Sequence, residues 1–152
     1  MKTLKTIIFA VFAIILTASL GMAFETKLSG NEVVPVVATK AIGEADFRMS
    51  ADGKGLTYIL TLKDIENVTA AHIHTGLMGK NGGPVAGLFA GPKKEGKFSG
   101  EIAKGTITNK GLVGPLAGKT IGDLVEMIKM GGAYVNVHTD KYPDGEVRGQ
   151  IK

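Results

Sequence analysis

From Phe24 onward, apolar and polar positions alternate in short segments divided by glycine and proline, the pattern of antiparallel strands with turns between them. Leu56, Tyr58, Leu60 and Leu62 keep a period of two, as do Ala45, Phe47 and Met49 before them. Ala51-Asp52-Gly53-Lys54-Gly55 supplies turn residues between these runs, so the two are expected to form a hairpin. Further strands are expected at Thr69 to His74, Val85 to Phe89, Gly100 to Thr108, Ala133 to Thr139 and Glu146 to Ile151. Only 120–130 departs from this period. There Ile121, Leu124, Val125 and Ile128 repeat at helical spacing, with Thr120 as cap and Gly131-Gly132 as stop, which predicts one short crossover helix. The expected fold class is therefore all-β, an antiparallel sandwich of seven or eight strands in a single domain.

A different pattern opens the chain. Lys2 and Lys5 precede an unbroken apolar run, Ile7 to Leu16, followed by small residues up to Gly21-Met22-Ala23. This is the layout of a signal peptide over residues 1–23, with cleavage expected after Ala23 and a domain over 24–152. The rival reading is an uncleaved anchor, because Ile7 to Phe24 is just long enough to cross a bilayer of about 30 Å. The expected location is periplasmic or extracellular, with no membrane contact once the signal is removed.

The 152 residues carry a net charge of +4, and Lys2 and Lys5 supply two of the excess positive charges. Tryptophan is absent and charges of both signs are scattered, so no basic, aromatic platform for nucleic acid is visible. Cysteine is also absent. An exported domain of this size must then fold by burial alone, without disulfides, thiolate nucleophiles or thiolate metal sites. Gly114 to Thr120 falls one residue short of the spacing of a phosphate-binding loop, and no serine sits in a nucleophile elbow.

Recognisable motifs follow in order: Leu28-Ser29-Gly30-Asn31-Glu32-Val33-Val34-Pro35, Ala71-His72-Ile73-His74-Thr75-Gly76 and Asn81-Gly82-Gly83-Pro84-Val85. Ala133 to Thr139 and Tyr142 to Gln150 complete the set. Together they resemble the CHRD domain, a module named from chordin and found alone in many exported microbial proteins. The resemblance implies an immunoglobulin-like β-sandwich, distantly similar to copper/zinc superoxide dismutase, and implies no settled biochemical activity.

The chain's three histidines all lie in these motifs. His72 and His74, two apart on one strand, point to the same face, where their rings can converge as a His-x-His chelate. His138 faces away from Val135 and Val137, and joins them if its strand is a neighbour. Three neutral imidazoles suit copper or zinc. The plainer reading is structural: His72 and His74 bonded to loop carbonyls, and His138 paired with Asp140 or Glu146. The dismutase likeness matches the order of a His-x-His strand and a late histidine, but this chain has no fourth histidine for a bridge to zinc. Asn136, Asp140, Glu146 and Arg148 are candidates for a supporting shell or a structural pair, with Glu146 and Arg148 expected to form a salt bridge. Gly76 to Gly83 reads as a mobile loop, either a partner-contacting rim or simply a long turn. Asp140, Asp144 and Glu146 are also a possible calcium cluster, without the EF-hand spacing.

Three functions fit: a non-enzymatic exported binding module with a copper or zinc site, a dismutase-like redox metalloprotein using the same histidines, or a metal-free structural or adhesive envelope protein. The expected partner is a metal ion or an extracytoplasmic protein.

Overall fold

The computed structural model describes residues 21–152, so the signal peptide expected over residues 1–23 lies almost wholly outside the described residues. Seven strands follow in order: β1 (Ala23–Ser29), β2 (Ile42–Met49), β3 (Gly55–Thr75), β4 (Pro84–Phe89), β5 (Lys94–Thr108), β6 (Ala133–Thr139) and β7 (Val147–Gln150). One helix, α1 (Ile121–Lys129), lies between β5 and β6. The chain is thus all-β and antiparallel with a single helix, as the periodicity predicts. The seven strands belong to one sheet, and five of them, β3-β2-β1-β7-β6, close on themselves as a barrel.

The closure depends on β3. Its first half pairs with β2, from Leu56 opposite Met49 to Lys63 opposite Ile42, and with β5 on the other edge. Its second half pairs with β6, from Val68 opposite Thr139 to Thr75 opposite Ala133, and with β4. Sequence pattern predicts two strands here, Leu56 to Leu62 and Thr69 to His74. The structure joins them into 21 continuous residues, which would span about 70 Å if straight.

Bulges bend this strand instead. Asp64 and Asn67 adopt left-handed φ values of 55° and 53°, beside register shifts at Leu62/Ile65 and Glu66/Val68. A third shift falls at Val68/Ala70. The shifts at Leu62/Ile65 and Val68/Ala70 each add a residue to β3, and the buried positions advance from Leu62 to Ile65, Val68 and Ala71 in steps of three rather than two. After the last bulge the odd positions Ala71 and Ile73 face the core, and His72 and His74 are turned to the other side.

β1 is the strand that the sequence pattern does not predict. Thr26 occupies one of its buried positions, between exposed Glu25 and Lys27, so its apolar face reads weakly. It pairs with β2 along its whole length. It meets β7 at Ser29 opposite Arg148, and Glu25 and Lys152 exchange backbone hydrogen bonds of 3.0 Å in both directions. Helix α1 starts in a capping box: the Thr120 hydroxyl accepts from the Asp123 amide, and the Asp123 carboxylate accepts from the Thr120 amide. Its predicted stripe, Ile121, Leu124, Val125 and Ile128, is buried against β3 and β6.

Candidate metal centre

On β3, β6 and β7, one face is apolar and the other polar. Ile73 and Val135 are opposite each other in register, as are Ala71, Val137 and Val147, and all are buried in the core. The reverse face carries two rows: His72, Asn136 and Arg148, then His74, Tyr134 and Gln150. His138 lies opposite Ala70, diagonal to His72. The predicted neighbourhood of the two histidine strands is therefore present, and with it the predicted division of β6 into inward valines and an outward Asn136 and His138.

The three imidazoles meet. Ring centroids are 5.2 Å apart for His72 and His138, and 5.7 Å for both pairs that include His74. One nitrogen from each ring lies within 4.8 Å of the others. Two of the rings are oriented by loop carbonyls. His74 Nδ1 donates to the Gly82 carbonyl at 2.8 Å, and His138 Nδ1 donates to the Pro143 carbonyl at 2.8 Å. A carbonyl only accepts, so each of these Nδ1 atoms carries a proton, and in the neutral tautomer the lone pair is on Nε2. Those two Nε2 atoms, together with His72 Nδ1, are buried and have no hydrogen-bond partner.

Burial holds His72 and His74 below the usual histidine range, and the neighbouring imidazoles add to the effect. For His74 the Gly82 carbonyl works in the opposite direction, while His138 and the Arg148 charge lower it further. Both rings are therefore neutral at pH 7, the state a metal needs. Below about pH 6.5 the unfolded chain binds protons that the native histidines resist, so metal-free stability is full above that pH and is lost as pH falls through the lowered native values. Urea midpoints measured with chelator at pH 7.5 and pH 5 should fall toward acid, with a shallower fall in a His72→Gln, His74→Gln double variant. An unchanged slope in that variant would assign the acid sensitivity to other groups.

Two loops close over the triad, the β3–β4 loop at 76–83 and the β6–β7 loop at 140–146. The first, expected to be mobile, is strapped down. Arg148 donates from Nη1 to Asn81 Oδ1 at 3.0 Å and from Nη2 to the Leu77 and Lys80 carbonyls at 3.1 and 2.9 Å. Gln150 donates to the Gly76 carbonyl, and Asn81 donates to the Val34 carbonyl. Tyr134 stacks on His74, and its hydroxyl donates to the same Gly82 carbonyl that His74 uses.

The expected Glu146–Arg148 salt bridge does not form. Arg148 is drawn to the loop carbonyls, and the Glu146 carboxylate accepts from the hydroxyls of Thr39 and Thr139 at 2.7 Å each. Nor does His138 pair with Asp140 or Glu146, because Asp140 faces Lys93 at 3.0 Å. Asn136 donates to the Asp144 carbonyl and lies between His72 and Arg148 in register. Of the four supporting candidates, Asn136 and Arg148 border the triad, whereas Asp140 and Glu146 have partners elsewhere. Asp140, Asp144 and Glu146 do not converge: the histidines are the group of three potential ligands found among the described residues. The loop carbonyl expected for His74 is that of Gly82, whereas His72 Nδ1 has none; the supports that sequence reasoning missed are the Pro143 carbonyl and the Tyr134 ring. Backbone acceptors have no side-chain signature to read.

Gly82 offers a direct test of this support. A Cβ there would collide with the Thr75 carbonyl oxygen, so Gly82→Ala must displace the carbonyl that orients His74. Metal binding measured by competition should weaken about 10- to 100-fold, the usual effect of disturbing such a support. Gly83→Ala, where a Cβ meets nothing within 4 Å, should bind like the parent.

These features define an all-β antiparallel module with three clustered imidazoles on the face of a closed sheet that points away from its apolar core. The chain belongs to the CHRD domain family, whose model matches residues 24–151, nearly all of the described domain. None of the curated proteins and none of the solved structures matches it.

Proposed function

We propose that this CHRD domain is an exported, non-enzymatic binding module that holds one copper or zinc ion through His72 Nδ1, His74 Nε2 and His138 Nε2. The observation that carries the reading is that one nitrogen from each ring lies within 4.8 Å of the others, on three rings that each hold a buried nitrogen without a hydrogen-bond partner. A buried polar atom without a partner is costly, and these three nitrogens form no hydrogen bond with one another. Ligands about 2.0–2.1 Å from a tetrahedral metal lie roughly 3.3 Å apart, so the rings need to close by an ångström or so. The donor set is neutral nitrogen without carboxylate or thiolate, which suits copper and zinc better than calcium or magnesium. Export rests on Lys2, Lys5 and the apolar run after them.

A dismutase-like redox role is the second reading, favoured by one observation: the His-x-His pair and a late-strand histidine meet on an antiparallel all-β fold. The finer likeness to an immunoglobulin-type or dismutase-type sandwich belongs to this reading. Against it, Arg148, the nearby arginine, is buried and directs its donors at loop carbonyls rather than at an incoming anion.

Titration of the purified protein with copper and with zinc, followed by metal analysis after desalting, tests the proposal. One retained equivalent per chain without superoxide turnover supports the binding module, and turnover supports the redox reading. Retention of neither metal at micromolar concentration overturns both and favours a structural or adhesive role.

A further inference from the structure

Arg148 is a buried cation, 2% exposed, and it forms no ion pair among the described residues. The acid that bears on it, Glu32, is exposed and out of contact. The acceptors around the guanidinium are neutral, one amide oxygen and two backbone carbonyls. Its flat face lies 3.5 Å from the centre of the Tyr134 ring, and that ring is stacked on His74 with centroids 5.2 Å apart. Arg148 and His72 are also two strands apart in the same row, about 10 Å across the sheet.

Any ion entering the triad therefore meets three neutral ligands and one uncompensated positive charge. Repulsion from that charge scales with the charge of the ion, so a divalent metal is opposed twice as strongly as a monovalent one. At an effective dielectric constant near 20 and about 10 Å, the extra unit of charge is worth roughly tenfold in binding. Among ions that neutral nitrogen ligands hold well, copper(I) is the monovalent one and is stable with three donors. We infer that the triad is a copper(I) site, and that Arg148 sets its preference for copper(I) over copper(II) and zinc(II). This rests on the triad binding a metal at all.

The test compares dissociation constants for copper(I), measured anaerobically against a chromophoric chelator, with those for copper(II) and zinc(II). Arg148→Met removes the charge, Arg148→Lys keeps it, and both lose the guanidinium's fork to the loop. A role confined to loop support would weaken all three metals by the same factor in both variants. The charge role predicts that Arg148→Met shifts the ratio about tenfold toward the divalent ions, while Arg148→Lys keeps the wild-type ratio. Asn81→Asp provides a second measurement if Arg148→Met does not fold. It sets a carboxylate where Asn81 Oδ1 now accepts from Arg148 and neutralises the charge in place, so it should move the ratio in the same direction. An unchanged ratio in these variants, or wild-type protein that binds zinc(II) more tightly than copper(I), overturns the inference while leaving the metal site standing. Binding of no metal at all would instead remove the proposed function and this inference with it.

Discussion

His74→Ala is expected to lose stoichiometric copper or zinc while keeping the fold. Four-ligand structural zinc sites are worth about 10–16 kcal/mol, so one imidazole carries roughly 3 kcal/mol, on the order of a hundredfold in affinity. His74 is also the best-oriented of the three, held by the Gly82 carbonyl and stacked on Tyr134. Its removal leaves Tyr134 still donating to Gly82, so the loop retains its anchors through Tyr134 and Arg148. Metal content after desalting and circular dichroism of the same sample separate the two effects. Retention of a full equivalent by a folded His74→Ala protein would mean that the triad is not the binding site.

Gly149→Ala should be the most damaging conservative change to the fold. Gly149 is buried on β7, and a Cβ there would strike the Lys27 carbonyl oxygen and the Thr26 hydroxyl of β1. That contact is the seam between the first and last strands. Overpacking a core typically costs 1–3 kcal/mol, and here the obstacle is backbone rather than a side chain able to turn aside, so about 3 kcal/mol is expected. For a domain of this length that is a fall of about 10 °C in Tm. Gly87→Ala on β4, where a Cβ meets nothing within 4 Å, should change stability by less than about 0.5 kcal/mol. Equal melting temperatures for the two variants would show that β1 and β7 separate without cost.

The parts of the fold that are legible in the sequence are those set by neighbours along the chain. The period-two runs of β2 and early β3 pair as their alternation requires, with Ala45 opposite Leu60 and Phe47 opposite Tyr58. The 3.6-residue stripe and cap of α1 are local in the same sense. By contrast, β3 reads as two strands because Asp64 and Asn67 break the alternation, and only pairing with β5 and β6 carries the strand through them. β1 reads weakly because Thr26 fills a core-facing place and the barrel closure that buries it involves residues more than a hundred positions away.

The candidate site divides along the same line. That His72 and His74 share a face follows from two-residue spacing alone. The partnership with His138, anticipated on condition that the strands are neighbours, requires the register of β6 on β3. The fate of Arg148 lay outside local reasoning. Shared facing with Glu146 suggested an ion pair, but a loop some seventy residues earlier in the chain offers three oxygen acceptors, and the arginine takes them.

By itself the sequence determined that this is a cysteine-free, all-β chain of the CHRD type, with a short helix near 120–130 and its metal chemistry confined to three histidines. Those conclusions follow from residue identity and short-range periodicity. Tertiary structure alone decided that five strands close into a barrel, that three imidazoles meet, and that a buried guanidinium stands near them with no ion pair among the described residues. The reason is physical: ligand geometry and uncompensated charge are properties of the space between strands distant in the chain, and that space exists only once β6 and β7 have docked on β3.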